Sequence, residues 1–120
     1  MLVLRIHFCS CVLPDAPEFA HHPQNIVEME EENVVFSCSV KGNPHPSVTW
    51  TKNNNALNTS EDPDLSETSS GNTHSLTIQN VHQSDEGQYR CVASNGIGNT
   101  TSNAGTLNVH CRYSVQDVKW

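Results

Sequence analysis

The chain has 120 residues, a length typical of a single domain, and 35% of them are hydrophobic. Six Lys and Arg residues stand against 13 Asp and Glu residues, which gives a formal net charge of −7. This charge repels nucleic acid phosphates and anionic membrane surfaces, so it argues against both as partners. The sequence also has no apolar run near the roughly 18 to 20 residues of a membrane span, and we predict no transmembrane segment. These limits exclude a two-domain enzyme.

The first 16 residues permit two interpretations. Met1 to Leu13 is the most apolar segment, but Arg5 and His7 interrupt it and no clean cleavage site of small residues follows. We interpret residues 1–16 either as a degenerate signal peptide or as a linker from something upstream.

Alternating apolar residues predict short β-strands along the next part of the chain. A first strand is expected near Glu18 to His22, after a proline-rich approach. The later strands are marked by apolar residues with a period of two, which puts one face of each strand in a core. These residues are Val34, Phe36, Cys38 and Val40, then Val48 and Trp50, Leu76 and Ile78, Tyr89, Cys91 and Ala93, and finally Gly105, Leu107 and Val109.

Turn-forming residues separate the strands. The loop 42–46, the asparagine run 53–55 and the glycine-containing hairpin 95–99 interrupt the alternation. Residues 56–72 are polar and carry no apolar stripe with a 3.6-residue period, so we expect edge strands and exposed loops there. Short strands about ten residues apart, with no helix, predict a β-sandwich or barrel. The loop 42–46 and the hairpin 95–99 are expected at opposite or adjoining ends, and either could contact another domain.

Five cysteines give an odd count, so at least one thiol has no partner within the chain. Cys38 and Cys91 each lie in an alternating apolar segment, as expected of two strands that meet across a core. A disulfide between them would close a long loop and would favour an oxidising compartment. The alternative is a pair of reduced, buried cysteines. The seven histidines include no ligand pair at a recognised zinc spacing, so we predict no metal site.

Cys38, Trp50 and Cys91 occur in the order and spacing of the immunoglobulin framework, and Tyr89 lies two residues before the second cysteine. The chain therefore resembles the intermediate set of the immunoglobulin superfamily over residues 17–109. The resemblance implies an all-β, two-sheet antiparallel sandwich with Greek-key connections over residues 17–110. It also implies a core framework made of Trp50, Leu76, Asp85, Gly87 and Tyr89, with Trp50 packed against the disulfide.

Two features depart from the pattern of this set. Glu31 stands where members often carry a glycine, and because Glu is poorly suited to a positive φ we expect the turn to be rebuilt around Asn33. Cys9, Cys11 and Cys111 lie outside the framework. Residues 111–120 are interpreted as a tail or as the start of a following segment. Cys111 is interpreted as a free thiol, with an intermolecular disulfide as the alternative.

No motif resembles catalytic apparatus, so we predict neither an enzyme nor a cofactor. Asn58 and Asn99 begin N-x-S/T sequences in segments expected to be exposed, and they are candidate N-glycosylation acceptors if the protein is secreted. The alternative is that both belong to unmodified polar loops. An acidic cluster at Glu28 and residues 30–32 is interpreted as a solvated face, with a basic partner or calcium as the alternative.

The preferred functional hypothesis is a protein-binding module of an extracellular adhesion, receptor or matrix protein. Its partners would be another protein or neighbouring immunoglobulin domains, and the chain would be a fragment of a longer one. The alternative is an intracellular linker module of a giant muscle-type protein, in the cytoplasm of the sarcomere. The alternative predicts reduced cysteines and no glycan.

Overall fold

The computed structural model describes residues 13–112, which form two β-sheets packed face to face. The interpretations of residues 1–12 and 113–120 lie outside the described residues. The strands, in chain order, are β1 (Asp15–His21), β2 (Ile26–Met29), β3 (Val34–Asn43), β4 (Ser47–Lys52), β5 (Asn55–Ala56), β6 (Leu65–Ser70), β7 (Thr73–Ile78), β8 (Gly87–Ser94), β9 (Asn99–Thr101) and β10 (Gly105–His110). A single-turn 3-10 helix (Gln83–Asp85) precedes β8.

The first sheet has the strand order β1-β3-β7-β6, and the second has the order β2-β10-β8-β4-β5 with β9 beside β8. This arrangement confirms the predicted all-β sandwich. One detail differs from a purely antiparallel fold, because β2 pairs with β10 in parallel. The single first strand expected near Glu18 to His22 is thus followed by a second one in the other sheet. The chain changes sheets between them at Pro23, which is buried and cannot donate to a ladder.

The core forms where the alternating strands face each other. In β3 the even-numbered residues from Val34 to Val40 are buried, while Val35 on the opposite face is 52% exposed. Phe36 and Tyr89 stack across the two sheets with ring centroids 4.8 Å apart. The returning strand β10 buries Gly105, Leu107 and Val109, as its sequence pattern predicts.

The prediction for the turn at Glu31 is wrong. Glu31 itself adopts a φ of +74°, so the turn keeps the left-handed geometry that favours glycine. Asn33 serves a different purpose, because its side-chain oxygen accepts a hydrogen bond from the backbone N–H of Asn80 at 3.0 Å. Two backbone hydrogen bonds hold the turn against the segment before the 3-10 helix. The N–H of Glu31 donates to the carbonyl of Val81, and the N–H of Val81 donates to the carbonyl of Glu32.

The two ends of the sandwich are distinct. At one end, here called the N-terminal end, lie the start of β1, the loop 44–46 and the hairpin 95–98, since Asp15 pairs with Asn43 and Ser47 with Ser94. At the other, the C-terminal end, lie the turn 30–33, the 3-10 helix and residues 110–112. The described chain therefore begins and finishes at opposite ends.

Candidate functional site

A disulfide joins the two sheets at the centre of the sandwich. Cys38 and Cys91 are bonded, with their Cα atoms 6.7 Å apart, and both are buried. Trp50 is 1% exposed and lies directly opposite Cys91 in the β4–β8 ladder. Leu76 belongs to the same cluster and is fully buried. A bridge at this position ties the two apolar faces together and is protected from solvent.

Tyr89 forms a corner with the 3-10 helix. Its hydroxyl donates a hydrogen bond to the backbone carbonyl of Asp85, four residues earlier. The Asp85 carboxylate in turn accepts a hydrogen bond from the backbone N–H of His82 at 2.8 Å. Burial, and to a smaller extent the negative charge of Asp85, raises the pKa of Tyr89. The hydroxyl therefore stays protonated, as its role as a donor requires.

Gly87 is needed for the close approach of a neighbouring side chain. A Cβ at this position would lie 2.8 Å from Oδ1 of Asn53. That oxygen accepts a hydrogen bond from the backbone N–H of Gln88 at 2.9 Å, and the backbone N–H of Asn53 donates to the Gln88 carbonyl. Asn53 has a φ of +49°, which asparagine tolerates better than most residues. Glycine therefore allows the β4–β5 turn to form hydrogen bonds with the start of β8.

Asn95 organises the N-terminal end. Its side-chain nitrogen donates to the carbonyl oxygens of Asp15 at 2.7 Å and Pro44 at 2.9 Å. Its side-chain oxygen accepts from the backbone N–H groups of Ile97 at 3.1 Å and Gly98 at 3.2 Å. One amide therefore joins the start of β1, the loop 44–46 and the hairpin. The two candidate loops lie at the same end and form one surface.

The acidic cluster lies at the C-terminal end and includes ion pairs. Arg112 contacts the carboxylates of Glu31 at 3.7 Å and Glu32 at 3.1 Å, and all three side chains are at least two-fifths exposed. Exposed pairs of this kind contribute little to stability. The observed cation is from this chain, so the geometry supports a solvated face with an internal counter-charge.

Residues 17–109 match the sequence profile of the immunoglobulin I-set domain. The chain belongs to the immunoglobulin I-set family. This match covers most of the sandwich and agrees with the buried Cys–Trp–Cys framework and the tyrosine corner described above.

Curated relatives of this I-set domain are much longer proteins. The chain is 40% identical over 88 residues to the netrin receptor DCC of Rattus norvegicus, covering 73% of this chain and 6% of the relative. It is 32% identical over 104 residues to the probable oxidoreductase PXDNL of Homo sapiens, covering 87% of this chain and 7% of the relative. The chain thus spans well under a tenth of the curated relatives it matches.

Solved structures of titin domains share the same fold. The titin domains Z1Z2 in complex with telethonin superpose on this chain with a TM-score of 0.78 and 30% sequence identity. The match covers 84% of this chain and 51% of that one. The chain is therefore similar both to a protein named as a netrin receptor and to titin domains solved in complex with telethonin.

The two predicted glycosylation acceptors lie in different parts of this I-set domain. Asn58 is exposed in the segment between β5 and β6, on the side of the sandwich. Asn99 is exposed in β9, where it pairs with Ser94 close to the N-terminal end.

The outer face of the first sheet is rich in hydroxyl groups. Ser37 and Ser75 lie side by side with their oxygens 2.9 Å apart, and Ser39 and Thr73 do the same at 3.1 Å. The outer face of the second sheet is different. On its edge strand β2, Val27 is 62% exposed and Met29 is 40% exposed.

A cleft of about 230 Å³ opens between β4 and β6, lined by Val48, Trp50, Glu67, Thr68, Ser69 and His74. Nε2 of His74 is buried there without a hydrogen-bond partner. Burial and the nearby His45, whose ring centre is 6.2 Å away, lower the pKa of His74, while Glu67 acts in the opposite direction. Across residues 13–112, no group of three His, Cys, Asp or Glu side chains is placed to hold a metal ion.

Cys111 is exposed, and its sulfur accepts a hydrogen bond from the side-chain amide of Gln83. Within the described range, no helix has the length and apolar character to cross a bilayer.

Sequence reasoning missed Asn95 and Asn53, which organise the two ends of the sheet. Both residues lie in segments recognised as turns, but the sequence does not show which distant backbone groups the side chains bind. For Asn95 the signal is its position beside a hairpin glycine, and for Asn53 it is the run of three asparagines after a strand. Asparagine side chains commonly bond to nearby backbone in such turns.

Proposed function

We propose that this I-set domain is a non-enzymatic, protein-binding module of an extracellular protein, and one of several immunoglobulin domains in that protein. The observation that carries the proposal is the buried Cys38–Cys91 disulfide at the centre of the sandwich. Disulfides form and persist in oxidising compartments, outside the cytosol. The likeness to a protein named as a netrin receptor supports the same location.

The arrangement of the ends supports a position within a chain of domains. Asp15 and Arg112 lie at opposite ends of the sandwich, so a preceding and a following domain would adjoin opposite ends. The surface around Asn95 would then face the preceding domain, and the acidic C-terminal end would face the following one. Protein partners would be bound by the loops and the outer sheet faces.

A second function is favoured by the titin likeness. Titin domains Z1Z2 share this fold at 30% identity, and their structure is a complex with telethonin. In this alternative the domain is an intracellular link in a muscle-type chain, and Cys38 and Cys91 are reduced in the native protein. The sandwich core accommodates two buried thiols as well as a disulfide, because free Cys packs as a small apolar residue.

The redox state of the two cysteines in protein from its natural source separates the alternatives. Free thiols would be blocked at once with an alkylating reagent, and the peptides would be mapped without reduction. A linked Cys38–Cys91 peptide is the result we expect. Two alkylated thiols, together with recovery in the cytosolic fraction, would reject the extracellular function and support the muscle-type linker.

A further inference from the structure

Asn58 lies on a side of the sandwich that neither end covers. The segment between β5 and β6 passes from the second sheet to the first, and it starts where Leu57 N–H donates to the Trp50 carbonyl at 3.0 Å. Asn58 follows directly and is exposed. The position is therefore open to solvent whether or not other domains adjoin the N-terminal and C-terminal ends.

The Asn58 side chain is held in one orientation by its own sequon. Its Oδ1 accepts hydrogen bonds from the Ser60 hydroxyl at 2.6 Å and the Ser60 backbone N–H at 3.2 Å. Within residues 13–112, its Nδ2 makes no hydrogen bond. The nitrogen that N-glycosylation modifies is thus free, while the amide oxygen is engaged by the hydroxyl residue that the sequon requires.

Asn99 is exposed like Asn58, but it lies close to the N-terminal end of the sandwich. It belongs to the β8–β9 hairpin, whose residues form a local ladder between Val92–Ser94 and Asn99–Thr101. A Cβ on its neighbour Gly98 would lie 3.1 Å from Cβ of Ala16, so the start of β1 passes close to this hairpin. A sugar on Asn99 would therefore lie beside the start of β1.

We propose that Asn58, rather than Asn99, is the principal acceptor of an N-linked oligosaccharide in this chain. The donor is a lipid-linked oligosaccharide diphosphate. A bond forms between Nδ2 of Asn58 and C1 of the first sugar, and the bond between C1 and the diphosphate oxygen breaks. The electron pair leaves with the lipid diphosphate, and Nδ2 loses one proton. This inference rests on the proposed extracellular function, because the transfer takes place in the secretory pathway.

A sugar on Asn58 would also shield an open sheet edge. The neighbouring Thr59 hydroxyl donates to a Glu67 carboxylate oxygen at 3.3 Å, which ties the segment to β6. Among the strands of residues 13–112, β6 pairs with β7 alone, so its other edge carries backbone groups available to a second chain. The outer face of the second sheet, with Val27 and Met29, lies away from this edge and remains open to a partner.

The test uses the full 120-residue chain fused to a cleavable secretion leader and expressed in eukaryotic cells. The intact mass of the secreted protein is measured before and after treatment with peptide N-glycosidase. We expect a glycan on the wild type that is lost in Asn58→Gln and Ser60→Ala. Asn99→Gln and Thr101→Ala are the matched variants at the other sequon, and both should keep the glycan on Asn58. Ser60→Thr keeps the hydroxyl and should also keep the glycan. A wild type without sugar, or an Asn58→Gln variant with undiminished glycan, would overturn the proposal.

A second arm separates this inference from the proposed function. The same peptide map is made on protein from its natural source, where the redox state of Cys38 and Cys91 reports the compartment. Reduced thiols there, with glycan at Asn58 in the leader-fused chain, would reject the extracellular function and leave the acceptor preference supported. A linked disulfide with sugar only on Asn99 would support the extracellular function and reject the preference for Asn58.

Discussion

The side-chain amide of Asn95 donates a hydrogen bond to the backbone carbonyl of Pro44 at 2.9 Å, across 51 residues of sequence. The same amide also binds Asp15 and the hairpin backbone, so three separate segments depend on one side chain. In the proposed chain of domains this is the surface that meets the preceding domain. The hydrogen bonds of Asn95 would then help to set the angle between neighbouring domains.

Replacing Asn95 with Ala should destabilise the domain by about 2 kcal/mol, because four hydrogen bonds are lost. Since these bonds are largely exposed, each is expected to contribute about 0.5 kcal/mol, the low end of the usual range. Urea unfolding measures this change. Asn108→Ala is the matched control, since Asn108 is exposed in β10. Equal midpoints for the two variants would show that the Asn95 bonds are not formed in solution.

Replacing Trp50 with Ala should cost about 3–5 kcal/mol by opening a cavity beside the disulfide. For a small domain this approaches the whole free energy of unfolding. Thermal unfolding compares this variant with Thr49→Ala, whose side chain is exposed on the same strand. A native-like melting temperature for Trp50→Ala would contradict the packing described here.

Replacing Tyr89 with Phe should cost about 1–2 kcal/mol, since the hydroxyl bond to Asp85 is lost and a carbonyl is left without its partner. The change should also alter the response to alkali. The pKa of Tyr89 is raised above its ordinary value of 10.0, so the unfolded chain loses this proton first as the pH rises. The stability contribution is complete below pH 10.0 and is lost progressively above it.

Urea unfolding at pH 8 and pH 11 would test this alkaline effect. The wild type should lose more stability between these two pH values than Tyr89→Phe does, because only the wild type must keep a buried phenol protonated. Equal losses would show that the Tyr89 hydroxyl is not buried and hydrogen-bonded as described.

His74 should make the domain more sensitive to acid. Because its pKa lies below the ordinary 6.5, the unfolded chain binds a proton first as the pH falls, and stability decreases from about pH 6.5 down to the folded-state pKa. The groups that face it are His45, which adds to this effect, and Glu67, which opposes it. Replacing His74 with Gln should reduce the loss of stability between pH 7 and pH 5.

The control for this acid effect is His110→Gln, because His110 is exposed on β10. Both variants and the wild type would be unfolded in urea at each pH. If His74→Gln and His110→Gln lose the same stability as the wild type, the buried, unpartnered Nε2 does not determine the acid response.

The sequence predicted the central framework well because its signals are local or fixed in spacing. The alternation in β3 marks the buried face, and the order Cys38, Trp50 and Cys91 indicates how the two sheets meet. The sequence could not predict the relation between the loop 44–46 and the hairpin, since that depends on which strands are neighbours. Once β4 pairs with β8, the two loops must lie at one end.

The parallel pairing of β2 was missed for a related reason. The segment Ile26–Met29 is too short for a clear alternation, and only its position beside β10 makes it a strand. The turn at Glu31 shows the opposite case. The local preference of glutamate against a positive φ was known, but contacts in the tertiary structure hold Glu31 at a positive φ. Backbone bonds from residues 31 and 81 hold the turn in the geometry of a glycine although a glutamate occupies it.

Replacing Glu31 with Gly should therefore stabilise the domain by about 0.5–1 kcal/mol. A residue other than glycine costs roughly 1–2 kcal/mol in the left-handed region, and the greater freedom of glycine in the unfolded chain offsets part of the gain. Glu32→Gly is the matched control, because it also removes an exposed ion pair with Arg112 but has no positive φ. Urea unfolding should show a raised midpoint for Glu31→Gly and a lowered one for Glu32→Gly. A fall in both would mean that the glutamate turn carries no strain that glycine can relieve.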